Sequence, residues 1–245
     1  MRAGRGGARR TAAALLALVA LGACSPQPAA RQPAVAEPTS TQPSATPTAS
    51  PSATPSPSPK PTPKPTAPPV LASDGKPREA RLTIPALGLE RLRVRHYRGS
   101  PDDARGTRIQ NGGIAASPYG PDGGAGVGGI GNYIITGHRT SSTRPFAKLP
   151  RLRKGAMVHL VAGGKRYTYK IVETRRTSFR SKKSLAQQSA AVPGRIGAKP
   201  SKAMITLSTC RTPEDRAEGN YWSDRFGNPE HRIDKIGALV VIRPA

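Results

Sequence analysis

Cys210 closes the run Ala203-Met204-Ile205-Thr206-Leu207-Ser208-Thr209-Cys210, and it is the one cysteine in the part of the chain able to build a core. The seven residues before it are β-branched or apolar enough for a strand, and polar Arg211, Thr212 and Pro213 follow, so the thiol sits at the end of a rigid element. Upstream, Asn132-Tyr133-Ile134-Ile135-Thr136-Gly137 reads as a second short strand running into His138. A thiol with a free pKa of ~8.5 is only partly ionised at neutral pH, and a nearby imidazole can take its proton. A cysteine and a histidine far apart in sequence, each at a strand mouth, therefore make a candidate thiol enzyme. The plain alternative is a buried small hydrophobe, the commoner fate of a lone thiol.

Three other histidines compete for the role of base. His96 and His159 fall inside strand patterns with apolar neighbours, which suits structural positions, and His231 lies in Asn228-Pro229-Glu230-His231-Arg232. His138 is preferred because the strand before it fixes its place and Gly137 lets the backbone turn.

The elements that must position these groups are mostly short strands. Candidates are 81–84, 92–96, 132–136, 157–161, 166–173, 203–208 and 236–242, separated by Gly, Pro, Ser and Asn turns, with Gly163-Gly164 as a hairpin turn. Only 183–191 has helical character. Many short strands with one or two helical turns predict a mainly β fold, a closed or nearly closed barrel. Gly126-Val127-Gly128-Gly129-Ile130-Gly131 matches a dinucleotide fingerprint literally, but it precedes a strand where the fingerprint follows one, so it reads as a loop. No phosphate-loop lysine, no paired metal-ligand spacing and no acidic cluster suited to calcium occurs, and neither a cofactor nor a metal is expected.

Of the 245 residues, the first 76 or so carry no pattern that could build a core, which leaves about 170 for one domain over 77–245. Residues 1–24 read as an export signal: Arg2, Arg5, Arg9 and Arg10 precede an apolar run from Ala12 to Ala23 that is short for a membrane span of about 20 residues. Its end, Leu21-Gly22-Ala23-Cys24, resembles the lipobox of bacterial lipoproteins, where the cysteine is lipidated and becomes the new N-terminus. A plain cleaved signal peptide and an uncleaved anchor are the alternatives. Residues 25–76 are Pro, Ser, Thr and Ala with almost no large apolar side chain, a disordered, extended spacer. At ~3.1 Å per residue such a spacer reaches on the order of 150 Å. With Cys24 lipidated or removed, Cys210 has no intramolecular disulfide partner.

The domain is also basic, with 31 Lys and Arg against 12 Asp and Glu over 77–245, a net charge of +19. Clustered cations suit nucleic acid, yet these are scattered, no zinc-finger spacing occurs and the export signal leads away from the cytoplasm. An anionic wall polymer or a lipid surface fits better, beside the bland alternative of a solvated basic surface.

Three segments in order resemble a known family. Leu82-Thr83-Ile84-Pro85-Ala86-Leu87-Gly88-Leu89, then Thr136-Gly137-His138-Arg139-Thr140 with Pro145-Phe146-Ala147-Lys148-Leu149, then Ile205-Thr206-Leu207-Ser208-Thr209-Cys210 are similar to the sortases, bacterial cysteine transpeptidases, over about residues 80–243, with the class E group of actinobacteria nearest. The resemblance implies an eight-stranded barrel with short helices, in which Cys210 attacks the Thr-Gly bond of a protein sorting signal of the Leu-Pro-x-Thr-Gly or Leu-Ala-x-Thr-Gly kind. It implies that His138 serves as base and then acid, and that the acyl group passes to an amine of the cell wall or of a pilin. It also implies an arginine on the strand after the cysteine. Arg232 is the choice, although it lies 22 positions after Cys210 with Arg211, Arg216 and Arg225 in between, in an insertion that holds Tyr221-Trp222. Trp222 is there either a lid or a packing anchor.

The family's usual membrane-spanning anchor is replaced here by the lipobox-like end and spacer, so attachment to the outer face of the cytoplasmic membrane rests on this sequence. Two other classes stay open. An L,D-transpeptidase carries Ser-His-Gly before its cysteine where this chain has Leu207-Ser208-Thr209, and a non-catalytic basic lipoprotein binding wall polymers would need no thiol. The Cys24→Ala variant is expected to leave the membrane fraction on cell fractionation; undiminished retention would instead identify an uncleaved anchor.

Overall fold

The strands at 80–84 and 157–162 alternate a buried with a more exposed side chain, the pattern of a sheet with one face on a core, whereas the strand at 131–136 is buried on both faces. The computed structural model describes residues 71–245; the expectations for residues 1–24, for Cys24 and for the spacer up to residue 70 lie outside them, while residues 71–76, expected as the end of that disordered spacer, instead pack on the barrel, with Leu71 N–H donating to the Ile242 carbonyl at 3.3 Å and Ser73 Oγ to the Val127 carbonyl at 2.7 Å. Eight strands are present: β1 (Ala80–Ile84), β2 (Leu89–Arg98), β3 (Ala115–Tyr119), β4 (Gly131–Thr136), β5 (Met157–Ala162), β6 (Lys165–Ser178), β7 (Ala203–Cys210) and β8 (His231–Pro244). They form a closed barrel in the order β1-β2-β3-β4-β7-β8-β6-β5. Three short helices, α1 (Ala104–Asn111), α2 (Lys182–Ser189) and α3 (Thr212–Ala217), lie on the connections.

Each of the seven expected strands falls within an observed one, and the expected helix is α2. Gly163 and Gly164 both take positive φ, 54° and 70°, the conformation a two-residue hairpin turn between β5 and β6 demands. The segment 126–131 leads into β4 as a loop. Three elements were not expected. β3, Ala-Ala-Ser-Pro-Tyr, lacks β-branched residues and contains a proline, and tertiary pairing makes it a strand: it runs parallel to β2 from Val94↔Ala115 to Arg98↔Tyr119. α1 contains Gly106 and no apolar stripe. Its glycine is required because a Cβ there would lie 2.3 Å from the Tyr97 hydroxyl, and Asp103 caps it by accepting from the Gly106 N–H at 2.7 Å. α3 is six residues long and starts with Pro213 in its first turn.

The barrel interior is filled by Leu82, Ile84, Leu160, Tyr167, Tyr169 and their neighbours, all essentially inaccessible. On β7 the interior residues are Ile205 and Leu207, so by alternation Thr206, Ser208 and Cys210 project from the outer wall. A register shift on β6 between Ile171 and Glu173 reverses its alternation. Thr177 accordingly reaches Asp234 of β8 on the outer side. Helices α1 and α2 cover this wall: Gln110 donates to Thr136 Oγ1 at 3.0 Å, and Gln188 donates to Ser208 Oγ at 3.1 Å and to Asp234 Oδ1 at 2.9 Å.

The segment after β4 is seated by close packing. Phe146 N–H donates to the His138 carbonyl at 3.0 Å, and Thr209 Oγ1 donates to the Gly137 carbonyl at 2.7 Å. Gly137 is needed here for a reason other than a turn: its φ lies outside the left-handed region, but a Cβ would stand 2.8 Å from the buried Phe146 ring. Gly137→Ala is expected to destabilise the domain by about 1–3 kcal/mol through overpacking, read as a lower midpoint in urea or thermal unfolding.

Candidate active site

Pairing of β7 with β8 sets the centre of the site. The register places Cys210 directly across from Arg232, so residues 22 apart in sequence are lateral neighbours, and the intervening α3 and loop simply bridge the two strands. Across such a pair the side chains stand on the same face. Arg232 Nη1 donates to Cys210 Sγ at 3.2 Å.

Arg232 itself has no solvent exposure, an extreme position for a permanent cation. Its Nε donates to Asp102 Oδ2 at 2.9 Å, its guanidinium carbon lies 4.2 Å from the centre of the Phe179 ring, and its Nη2 is buried with no partner in the protein. Asp102 comes from the connection between β2 and α1, where its other oxygen accepts from Gln110 Nε2 at 2.8 Å. The rival arginines are engaged or placed elsewhere. Arg211 pairs with Asp215 and Glu218, Arg225 lies over the Phe226 ring, and Arg216 lines the cleft without a bond to the sulfur.

His138 and Cys210 line one cleft, together with Asn111, Thr212, Trp222 and Asn228. The imidazole is half-buried, and its Nε2 is hydrogen-bonded to Asn111 Oδ1 at 2.7 Å rather than to the thiol. Such catalytic contacts are commonly loose until substrate closes them. Arg139, the next residue, holds the loop against the thiol's strand: it donates to the Cys210 carbonyl at 3.3 Å and pairs with Glu214 of α3. The remaining histidines stand elsewhere. His159 Nδ1 is bonded to Thr168 Oγ1 at 3.0 Å, His96 faces the Tyr119 ring, and His231 Nδ1 is bonded to the buried Asp215 at 2.9 Å, tying the start of β8 to α3.

The insertion between α3 and β8 forms the opposite wall of the cleft. It is braced internally: Asp224 Oδ1 accepts from the N–H groups of Phe226 and Asn228 at 2.8 and 2.9 Å, and Asn220 Nδ2 donates to Glu230 at 2.9 Å. Trp222 is half-buried on this wall with its backbone N–H donating to Asn220 Oδ1 at 3.1 Å, while Tyr221 is open to solvent. Sequence reasoning did not reach Asp102, Asn111 or Arg139. Arg139 is the neighbour of His138, whereas Asn111 ends a helix with no periodic signal and Asp102 lies in the connection just before it. Among the described residues, no three His, Cys, Asp or Glu side chains are grouped as a metal site, and no helix is long and apolar enough to cross a membrane.

The electrostatics favour a neutral resting pair. Burial pushes the Cys210 thiol up from its ordinary range, against the lowering effect of the Arg232 guanidinium. Burial likewise pushes His138 down, partly offset by Asp102. A sortase domain model matches residues 82–225, a span that contains His138 and Cys210 and ends before Arg232. Among solved structures the chain is similar to the SrtA sortase from Actinomyces oris (TM-score 0.52, 20% identity, covering 73% of this chain and 88% of that one). It is also similar to sortase E1 from Streptomyces coelicolor with a tripeptide in the active site (TM-score 0.50, 21% identity, 71% and 94% coverage). These identities show a shared fold. A search of curated protein sequences returns no match. A raised thiol pKa means less thiolate at a given pH, so the midpoint of the pH dependence of Cys210 alkylation by iodoacetamide is expected above that of the same cysteine in the urea-unfolded chain; an equal or lower midpoint would contradict this electrostatic picture.

Proposed function

This chain belongs to the sortase family and is a cysteine transpeptidase, and we propose that it severs a Thr-Gly bond in the sorting signal of an exported protein and passes the acyl group to an amine. Cys210 is the nucleophile, His138 the proton carrier and Arg232 the donor to the substrate carbonyl. The observation that carries this reading is the 3.2 Å contact between Arg232 and the sulfur, with His138 lining the same cleft.

The steps follow from the resting state. Proton transfer from Cys210 to His138 gives thiolate and imidazolium, and the sulfur adds to the threonine carbonyl carbon. Charge then grows on the carbonyl oxygen beside the sulfur that Arg232 Nη1 contacts, and the buried guanidinium stabilises it. As the C–N bond breaks, His138 returns its proton to the departing glycine amine, leaving a thioester on Cys210. The incoming amine adds to that thioester and gives a proton to His138 as the C–S bond breaks. The acyl product and a thiolate remain, and His138 reprotonates the sulfur. Burial of the thiol suits this sequence, because the reactive thiolate is formed mainly when substrate occupies the cleft.

The same reading puts the domain on the outer face of the bacterial cytoplasmic membrane, held by Cys24 and carried outward by the Pro-rich stretch before Leu71, whose N–H donates to the Ile242 carbonyl at 3.3 Å. A signal of the Leu-Pro-x-Thr-Gly or Leu-Ala-x-Thr-Gly kind is the substrate class, and a cell-wall or pilin amine is the acceptor. The basic surface suits an anionic wall environment.

With a fluorescent sorting-signal peptide and an amine acceptor, the wild-type protein is expected to give the transpeptidation product. Cys210→Ala is expected to abolish it, and His138→Ala and Arg232→Ala to lower kcat/KM by about a hundredfold or more. Product formation by Cys210→Ala at the wild-type rate, or none by the wild type across both signal classes, would overturn the proposal.

A further inference from the structure

The mechanism above uses the Arg232 guanidinium and leaves unassigned the carboxylate bound to it. We propose that Asp102 is a positioning residue for this reaction: as the hydrogen-bonded counter-ion of Arg232 it aims the guanidinium at Cys210 and offsets its charge. This inference rests on the roles proposed for Cys210, His138 and Arg232.

Four observations carry it. First, Arg232 is fully buried, and a buried cation requires a partner. Asp102 is the acid hydrogen-bonded to it, through Nε at 2.9 Å, the edge of the guanidinium other than the Nη1 that meets the thiol. Secondly, the alternative acid is otherwise occupied. Asp234 lies two residues along β8 and accepts from Thr177 at 2.6 Å and Gln188 at 2.9 Å, with no hydrogen bond to Arg232; burial pushes its carboxyl up, toward the neutral form. Thirdly, Asp102 is itself buried and held from several sides. Gln110 Nε2 donates to its Oδ1 at 2.8 Å, and its backbone carbonyl accepts from Asn228 Nδ2 and Thr107 Oγ1, both at 3.4 Å. Fourthly, it sits at φ 58°, in the left-handed region that a residue with a side chain enters at a cost and keeps only when its surroundings fix it there.

The charges around the sulfur make the consequence directional. Facing Cys210 are Arg232 from β8, Arg139 from the loop after β4, already paired with Glu214, and Asp102 from the connection before α1. Asp215 of α3 also lines the cleft, and it is paired with Arg211 and hydrogen-bonded to His231. After burial, the largest influence on the thiol, Arg232 favours the thiolate and Asp102 opposes it; on His138, after burial, Asp102 favours the imidazolium and Arg232 opposes it. Removing the carboxylate's charge therefore lowers the thiol and the imidazolium together, and removing the guanidinium raises both.

Asp102→Asn is nearly isosteric, and asparagine tolerates the left-handed conformation. The experiment measures the pH midpoint of iodoacetamide alkylation of Cys210 in four proteins: wild type, Asp102→Asn, Arg232→Gln and the double variant. Relative to wild type, the midpoint is expected to fall in Asp102→Asn, to rise in Arg232→Gln, and to return toward wild type in the double variant. A purely structural residue would not give opposite signs that cancel. The pH profile of kcat/KM with the sorting-signal peptide should move to lower pH in Asp102→Asn, with the maximum reduced about tenfold or more by the misaimed guanidinium. An unchanged or higher alkylation midpoint in Asp102→Asn overturns the inference. Should that variant fail to fold, Arg232→Gln against the double variant reads the same quantity: a lower midpoint in the double variant supports the role, and an equal one removes it. Alkylation needs no substrate. Failure of the transpeptidase reading would therefore appear as wild-type protein without product, while the midpoints still report on Asp102.

Discussion

A guanidinium with no access to water has to be surrounded by the groups that make its burial tolerable, and much of the site in this barrel follows from that requirement. The Arg232 charge meets a carboxylate, a sulfur and an aromatic face, which come from the connection before α1, the end of β7 and the end of β6. None of these three segments is near another in sequence. What brings them together is barrel closure: β8 lies between β7 and β6, so a side chain on its outer face is flanked by both. Helices α1 and α2 then cover that wall and exclude water from it, which strengthens each electrostatic contact beneath them.

The same burial explains why the thiol and imidazole rest uncharged. Desolvation works against both ionised forms, and the nearby charges only partly correct it. Oriented donors aimed at the place where charge develops do more for such a reaction than a standing ion pair, since they need no rearrangement during the chemical step. The Asn111 contact with His138 adds a geometric element: it holds the ring in the cleft while leaving the sulfur and imidazole unbonded to each other.

How far the sequence alone could be read depended on the kind of signal each element carried. β7 announced itself through Ile205, Thr206 and Leu207 and ended at the thiol, and β4 did the same ahead of His138. These are strong local patterns. β3 and α1 carried none: one is built of small residues and a proline, the other owes its glycine to the Tyr97 ring. Since Asn111 ends α1 and Asp102 lies two residues before its start, both were hidden with it. The arginine was legible only by type. Its 22-residue separation from Cys210 looked like a weakness until the β7–β8 register showed that sequence distance does not measure strand pairing. Gly137 was correctly singled out for a mistaken cause, because packing against a ring leaves no trace in the local sequence.

The braced insertion between α3 and β8 has a consequence for how such an enzyme can diversify. Its internal bonds, Asp224 to the Phe226 and Asn228 amides and Asn220 to Glu230, brace it from within, while Cys210 and Arg232 are fixed by the ladder beneath it. Rim and reaction centre meet through the bond from Asn228 Nδ2 to the Asp102 carbonyl at 3.4 Å, away from the face that Tyr221 and Trp222 present. Selection can remodel the face presented by Tyr221 and Trp222 to suit a new incoming molecule without disturbing the atoms that make and break bonds.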